Sequence, residues 1–338
     1  MKLLAYADVH MRDCGSFPPF NMYSTNGLTH ETNNILRGCA FVRDTIEKTK
    51  PDTVVFLGDW YHNMDSIPVT ALHATSIGLS TIWNICKNMG IKHYLLTGNH
   101  DMYANAIFSV TNLAGYFDEI VTKPIIYDVK GISVGFLPYG SRSFLYSKIY
   151  EMISGSDVLL THCDYNGAKY ENGFVVTDSL DPVEDKVTLS GHVHVSQTIG
   201  KVNYCGSIVQ NKFFTNNYKN CGGSIQYNSE TNKVKWFKNT YSKHYVKIKG
   251  DNFLEEIKKN SLDPEHCVLF ISASLDKADV DVALKDLGFV YWYVRVSPKS
   301  ENFKSSYEHV SVAKPFDMLE EYVRQNKPEA LPILEGLE

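Results

Sequence analysis

Short apolar runs alternate with longer helical patterns through the first hundred residues. Residues 2–7 are almost wholly apolar and read as a strand. From Thr29-His30-Glu31-Thr32 to about Lys48, Ile35, Cys39, Val42 and Ile46 recur on one face of a predicted helix. Thr53-Val54-Val55-Phe56-Leu57 is a continuous apolar run, the pattern of a strand buried on both faces. A second helix is predicted over roughly 68–88 and a third strand at 93–96. This order predicts parallel strands joined by helical crossovers. Residues 11–30 are polar and form a long predicted loop, a length usually tied to function or mobility.

The next stretch reads as strands at 125–128, 132–137, 158–162, 187–190, 202–207, 224–228 and 233–237. With little helix between them, these are expected to form a second sheet packed on the first. From 241 the pattern shifts to a small α+β unit, with strands at 245–249, 267–272 and 289–296 and helices at 252–260 and 278–287. Residues 297–312 are polar. Lys314-Pro315-Phe316 opens a last predicted helix, with Pro near its start, acids early and Arg324 late. The fold class is α/β, divided at 1–240, 241–300 and 301–338.

Composition narrows the class. Hydrophobic residues at 43% and charged residues at 21% are ordinary for a globular protein, and no apolar stretch is long enough to span a bilayer. Asp8 comes too early for a secretory signal. Seven cysteines with no C-x-x-C pair favour reduced thiols and a cytoplasmic location. A net charge of −5 argues against a free-standing DNA-coating protein, but permits DNA held by a local patch or through a partner.

The strand ends are the most informative stretches. They read Asp8-Val9-His10, Gly58-Asp59-Trp60-Tyr61-His62, Gly98-Asn99-His100-Asp101, His162 and Gly191-His192-Val193-His194. Sites in open α/β sheets gather at the carboxyl ends of strands. On an extended chain, residues two apart leave one face, so Asp8 with His10 and His192 with His194 are expected to point together. Imidazole is the commonest protein metal ligand. Asp8, His10, Asp59, Asn99, His162, His192 and His194 offer too many donors for one tetrahedral ion. They suit two ions about 3.5–4 Å apart sharing a carboxylate, a role that fits Asp59 beside the tight turn at Gly58. Such a centre stays positive after Asp8 and Asp59 are counted, attracts phosphate and generates hydroxide at neutral pH. His100 and His62, beside ligand-bearing turns, are candidate donors to charge on the reacting phosphate. Mixed ligation favours Mn, Fe or Zn over Mg.

Other features have plainer readings. Cys163 follows His162, but adjacent strand residues point apart, so it is assigned to packing. His30, His73, His93, His244, His266 and His309 show no partner pattern and are expected to be structural or solvated. Six lysines and no acid fall between 233 and 249. Lys233 with Lys235, and Lys247 with Lys249, share strand faces. They are either a solvated sheet edge or a patch for the DNA backbone.

The motif order D-x-H, G-D, G-N-H-[DE], H, G-H-x-H resembles the calcineurin-like metallophosphoesterase superfamily over roughly residues 2–240. That resemblance implies a two-sheet sandwich flanked by helices. It implies one metal among Asp8, His10, Asp59 and His194, and a second among Asp59, Asn99, His162 and His192, with His100 assisting at the scissile phosphate or leaving group. Protein phosphatases of the superfamily carry Arg-Gly after G-D and Glu after G-N-H, where this chain has Trp60-Tyr61 and Asp101. His62, three residues after Asp59, and Tyr204-Cys205-Gly206-Ser207 are instead similar to the SbcD-type DNA nucleases. The short tail is similar to the small versions of that group in T-even phages. The resemblance implies a Mn-dependent exonuclease or endonuclease hydrolysing phosphodiesters with hydroxide from a two-metal centre, in DNA repair, recombination or end processing. It further implies a capping role for 241–300, docking of the tail on an SbcC-like ATPase, a homodimer, and the host cytoplasm if the source is a phage. No Walker-type glycine loop occurs here, so any ATP dependence would come from that partner. Met11 stands where the group usually has Leu, and the 11–30 loop is long for it. The rival readings are a small-molecule phosphodiesterase or phosphatase, and a non-catalytic metal-binding scaffold.

Overall fold

The first strand, β1 (Lys2–Tyr6), sorts its side chains between two cores. Leu3, Ala5 and the following Ala7 enter one cluster, while Leu4 and Tyr6 enter another. This is the two-residue period of a strand buried on both faces. The computed structural model describes residues 1–13, 23–103, 107–211 and 222–296. Part of the 11–30 loop and the predicted tail helix lie outside the described residues.

The chain continues through α1 (His30–Thr49), β2 (Thr53–Phe56), α2 (Val69–Asn88) and β3 (Lys92–Leu96). The three strands pair in parallel, as the alternating pattern requires. Thr29 starts α1 by accepting the Thr32 N–H at 3.2 Å. Lys50 ends it in the left-handed region, just before Pro51. Both helices press on one face of the sheet, where Ile35, Val42, Leu79 and Ile82 meet Tyr6, Val54, Phe56 and Leu95.

Beyond β3, the two-residue strands β4 (Met102–Tyr103) and β5 (Ile107–Phe108) pair with each other. A 3-10 turn follows at Thr111–Tyr116, and β6 (Glu119–Val121) extends the sheet beside β3. The second sheet is built from β7 (Ile125–Val129), β8 (Ile132–Leu137), β9 (Val158–His162), β10 (Val187–Gly191), β11 (Gln197–Ile199) and β12 (Val202–Tyr204). Its strand order is β11-β12-β10-β9-β8-β7. Between the sheets, Leu3, Ala5, Val55 and Leu57 meet Val134, Phe136, Leu160 and Leu189. Side chains of this size each contribute about 1.5–3 kcal/mol on burial.

Two findings depart from the expected pattern. Helix is sparse in this half but not absent: α3 (Arg142–Gly155) covers the outer face of the second sheet. Ser141 caps it, accepting the Phe144 N–H at 3.4 Å. Leu145, Ile149 and Met152 form its buried stripe against Leu137 and Leu159. Nor do the next two strands join the second sheet. β13 (Gly223–Asn228) lies antiparallel to β1, with Ile225 opposite Ala5 and Tyr227 opposite Leu3. β14 (Lys233–Lys238) forms the outer strand, giving the order β14-β13-β1-β2-β3-β6. The hairpin covers an edge that β1 would otherwise leave open, and Ile225 and Tyr227 complete the core between the sheets.

The elements after 241 form a separate parallel sheet, ordered β15 (His244–Lys249), β16 (Cys267–Ala273), β17 (Trp292–Val296). The helices α4 (Phe253–Lys259) and α5 (Lys277–Asp286) complete a core of Val246, Leu269, Ile271, Val280 and Leu284. Asn34 of α1 accepts the Lys243 N–H at 2.7 Å, and Gln210 accepts the Tyr245 N–H at 2.9 Å, fixing where this sheet begins. Among the described residues no helix is long and apolar enough to cross a membrane, and the five described cysteines are free and buried.

Candidate metal centre

The loops that leave β1 and β2 stay paired past the sheet. Asp8 N–H donates to the Gly58 carbonyl at 3.0 Å, His10 N–H to Asp59 at 3.1 Å and Met11 N–H to Trp60 at 2.7 Å. The backbone there is not extended. Asp8 (φ 53°), His10 (φ 46°), Asp59 (φ 64°) and His192 (φ 81°) all sit in the left-handed region, which side-chain-bearing residues enter at a cost. The extended-chain premise for the two i, i+2 pairs is therefore corrected: Asp8 and His10 still converge in one group, but His192 and His194 do not. The chain must turn over the sheet ends, and the turn at His192 sends it and His194 into different clusters. Two glycines permit the crowding. A Cβ on Gly58 would stand 2.6 Å from the Gly98 nitrogen, and one on Gly98 would fall on Asp59 Oδ1.

All seven candidate ligands meet at this end of the sandwich. Asp8, His10 and His194 form one group and Asp59, His162 and His192 another, with the ligand atoms of each group within 4.8 Å of one another. Asp59 links them: its Oδ2 lies 3.7 Å from His10 Nε2 and 3.4 Å from His162 Nε2, while Oδ1 accepts the His100 N–H at 2.8 Å. Asn99 Oδ1 lies 3.0 Å from His162 Nε2 and 2.8 Å from His192 Nδ1.

The donor chemistry fits cations. His162 Nδ1 donates to the Leu57 carbonyl at 2.6 Å, so in the neutral ring Nε2 carries a lone pair toward Asp59 and Asn99. His194 Nδ1 meets Glu171 Oε1 at 2.6 Å, and its Nε2 stands 2.9 Å from His10 Nε2. Lone pairs and carboxylates thus converge, an arrangement that needs positive charge between them. His10 Nδ1, buried, has no hydrogen-bond partner among the described residues. Burial opposes a charged His162, but Asp59 and Asp8 outweigh it and lift its pKa to about 10. Burial likewise pushes the Asp59 carboxyl up, yet His162, His10 and His100 hold it below its ordinary value. Burial and His194 keep His10 well below the usual imidazole range, favouring the neutral, ligating form.

His100 and His62 lie beside the clusters. The His100 ring stands perpendicular to His10, with centroids 4.7 Å apart, and stacks on His62 at 5.8 Å. His100 Nδ1 donates to the His62 carbonyl at 2.6 Å. His62 is exposed, and His10, His62 and His100 form a third group with converging nitrogens.

Four supporting residues escaped the sequence reading. Glu171 orients His194, and Asp164 Oδ2 lies 3.4 Å from His192 Nε2. Tyr170 donates to Asp164 at 2.7 Å and stands 3.2 Å from the same His192 nitrogen. Asp101 is fully buried and accepts the N–H groups of Asp59, Trp60 and Gly98 at 2.8, 2.9 and 2.9 Å. Burial, with Asp59 adding to it, raises its pKa to about 6 against those three donors. Asp164, two residues after His162, and Asp101, next to His100, could have been suspected from proximity. Glu171 and Tyr170 carry no spacing signal.

The lysines fall in two places. Lys233 and Lys235 lie exposed on β14, the outer strand of the first sheet, with Lys235 Nζ 5.1 Å above the Phe237 ring. Lys247 and Lys249 lie on β15, in the separate sheet, with Lys247 Nζ 5.4 Å above Phe270.

A sequence model of calcineurin-like phosphoesterases matches residues 1–196. Among solved structures, the chain is similar to a novel archaeal phosphodiesterase, with TM-score 0.37 and 10% identity over 70% of this chain and 99% of that one. It is similar to Yfce, a phosphoesterase from E. coli, with TM-score 0.33 and 12% identity over 71% and 100%. A protein of unknown function from Aquifex aeolicus gives TM-score 0.27 and 19% identity over 48% and 80%. No curated protein matches the chain.

Proposed function

The chain belongs to the calcineurin-like phosphoesterase family, and from that premise we propose that it is a Mn-dependent DNA phosphodiesterase working with an SbcC-like ATPase in DNA repair, recombination or end processing. The observation that carries the phosphodiester reading is the joining of two ligand groups at Asp59 Oδ2, with His100 and His62 alongside. Asp8, His10, Asp59 and His194 would hold one divalent ion, and Asp59, Asn99, His162 and His192 the other. When bound, such ions neutralise phosphate oxygens and supply hydroxide at neutral pH.

The chain's own residues do the rest. Glu171 and Asp164 fix the rings of His194 and His192, as outer carboxylates commonly do for ligating histidines. Asp101 ties the Asp59 and Asn99 loops together through three backbone donors. His100 is anchored through Nδ1, which leaves Nε2 as its working atom for a phosphate oxygen or leaving group. His62, stacked on it and exposed, is positioned as a second proton donor from the solvent side.

Three features support DNA as the substrate. They are His62 at its spacing from Asp59, the added three-stranded unit after 241, and the lysines on β14 and β15. The test is degradation of linear DNA by purified protein with Mn, using His100→Ala as control. Loss of DNA degradation in the variant is the expected result. Hydrolysis of an aryl phosphodiester but never of DNA would sink the nuclease reading. Failure to bind any divalent metal would sink the enzyme reading as well.

A further inference from the structure

A pocket lies between α1 and the β15–β17 sheet, with a cavity volume of about 450 Å³. None of the candidate metal ligands lines it. Its charged wall is Arg37 and Lys243, joined by His30, and no carboxylate is among its described lining residues. Arg37 is exposed and makes no hydrogen bond or ion pair among the described residues. Lys243 Nζ donates to the Glu265 carbonyl and lies 5.0 Å above the Tyr291 ring. On the same ring, His30 packs at a centroid distance of 4.7 Å. Burial and the nearby Arg37 push the Lys243 ammonium below its ordinary value, and do the same to His30. Two cations face one cavity; Glu265 and Asp263 offset part of the charge on Lys243, but burial and Arg37 outweigh them. The floor is apolar: Tyr245, Val268 and Tyr291 form a hydrophobic cluster of their own.

We propose that this pocket binds a nucleoside phosphate, with its phosphate on Arg37 and Lys243 and its ring on the floor of Tyr245, Val268 and Tyr291. An anion relieves the repulsion between the two cations. The guanidinium fork suits phosphate oxygens, and the cavity falls within the size range of ligand pockets. A free mononucleotide and the phosphorylated end of a DNA strand share this chemistry.

Calorimetric titration of the full chain with dAMP, in EDTA to remove divalent ions from the metal centre, tests the proposal. The expected result is saturable binding at one site, weakened about tenfold or more by Arg37→Ala and further by Arg37→Glu. Adenosine alone and inorganic phosphate alone should each bind more weakly than dAMP. Arg37→Ala should leave aryl phosphodiester hydrolysis with Mn unchanged, because Arg37 is outside the metal centre. A 5′-phosphorylated oligonucleotide that displaces dAMP upholds the site and assigns it to strand ends; one that does not upholds it for free nucleotide. Absence of saturation by dAMP, or affinity unchanged in both Arg37 variants, overturns the proposal. So does inorganic phosphate binding as tightly as dAMP, since the floor would then play no part.

Discussion

Asp101 shows how little freedom the residues around the candidate centre have. Its carboxylate holds three N–H groups from two loops in a fully buried place. Asp101→Asn turns an amide N–H₂ toward at least one of those donors, and the loss should reach about 2–3 kcal/mol in urea unfolding. Glu171→Gln should act more locally. With the outer carboxylate gone, metal affinity at the Asp8–His10–His194 group should fall about 10–100-fold, while the Asp59–His162–His192 group changes little. Metal titration followed group by group checks this, and equal weakening of both groups would refute the division. The nine motif residues were legible because each follows a strand end, where an apolar run stops at a polar cluster. Glu171 and Tyr170 were not, since they reach the centre from a loop whose path no periodicity records.

At the scale of elements, hydrophobic pattern reported exposure well and partnership poorly. β1 and β2 were readable because burial on both faces leaves a nearly unbroken apolar run. β13 was readable as a strand, but nothing in its residues says which sheet it joins. That choice is made by the open edge of β1 and by Ile225 and Tyr227 facing the inter-sheet core. α3 was overlooked although Leu145, Ile149 and Met152 mark its buried stripe. α1 was read correctly, and its start is the easiest to test. The Thr29 side chain accepts the Thr32 N–H, so Thr29→Ala should cost about 1 kcal/mol. In a chain this long that lowers the melting temperature by roughly 1–2 °C, measurable by calorimetry.

Across the whole molecule, stability should depend on pH and on metal in opposite corners of the first sheet and the site. His93 is fully buried, donating from Nδ1 to the Tyr116 carbonyl at 3.0 Å and facing the Tyr6 hydroxyl at 3.0 Å. Burial depresses its pKa to about 4. The unfolded chain, near 6.5, therefore binds the proton more readily. The contribution is complete above pH 6.5 and is lost as pH falls through 4, about 3 kcal/mol in all. His93→Gln should flatten that part of the unfolding free energy between pH 7 and 4; a parallel loss in both proteins would exclude His93. Metal acts the other way, by binding only the folded state. Free metal at 100 times its dissociation constant adds about 2.7 kcal/mol. EDTA should thus lower the melting temperature by roughly 4 °C for each ion lost, and an unchanged transition would speak against any resident metal. Asp8, His10, Asp59 and Asn99 follow strands of the first sheet, whereas His162, His192 and His194 follow strands of the second. A nascent chain that has left the ribosome only as far as α3 owns the first four and none of the three histidines. It can assemble neither group, so metal capture waits until the last ligand segment has emerged.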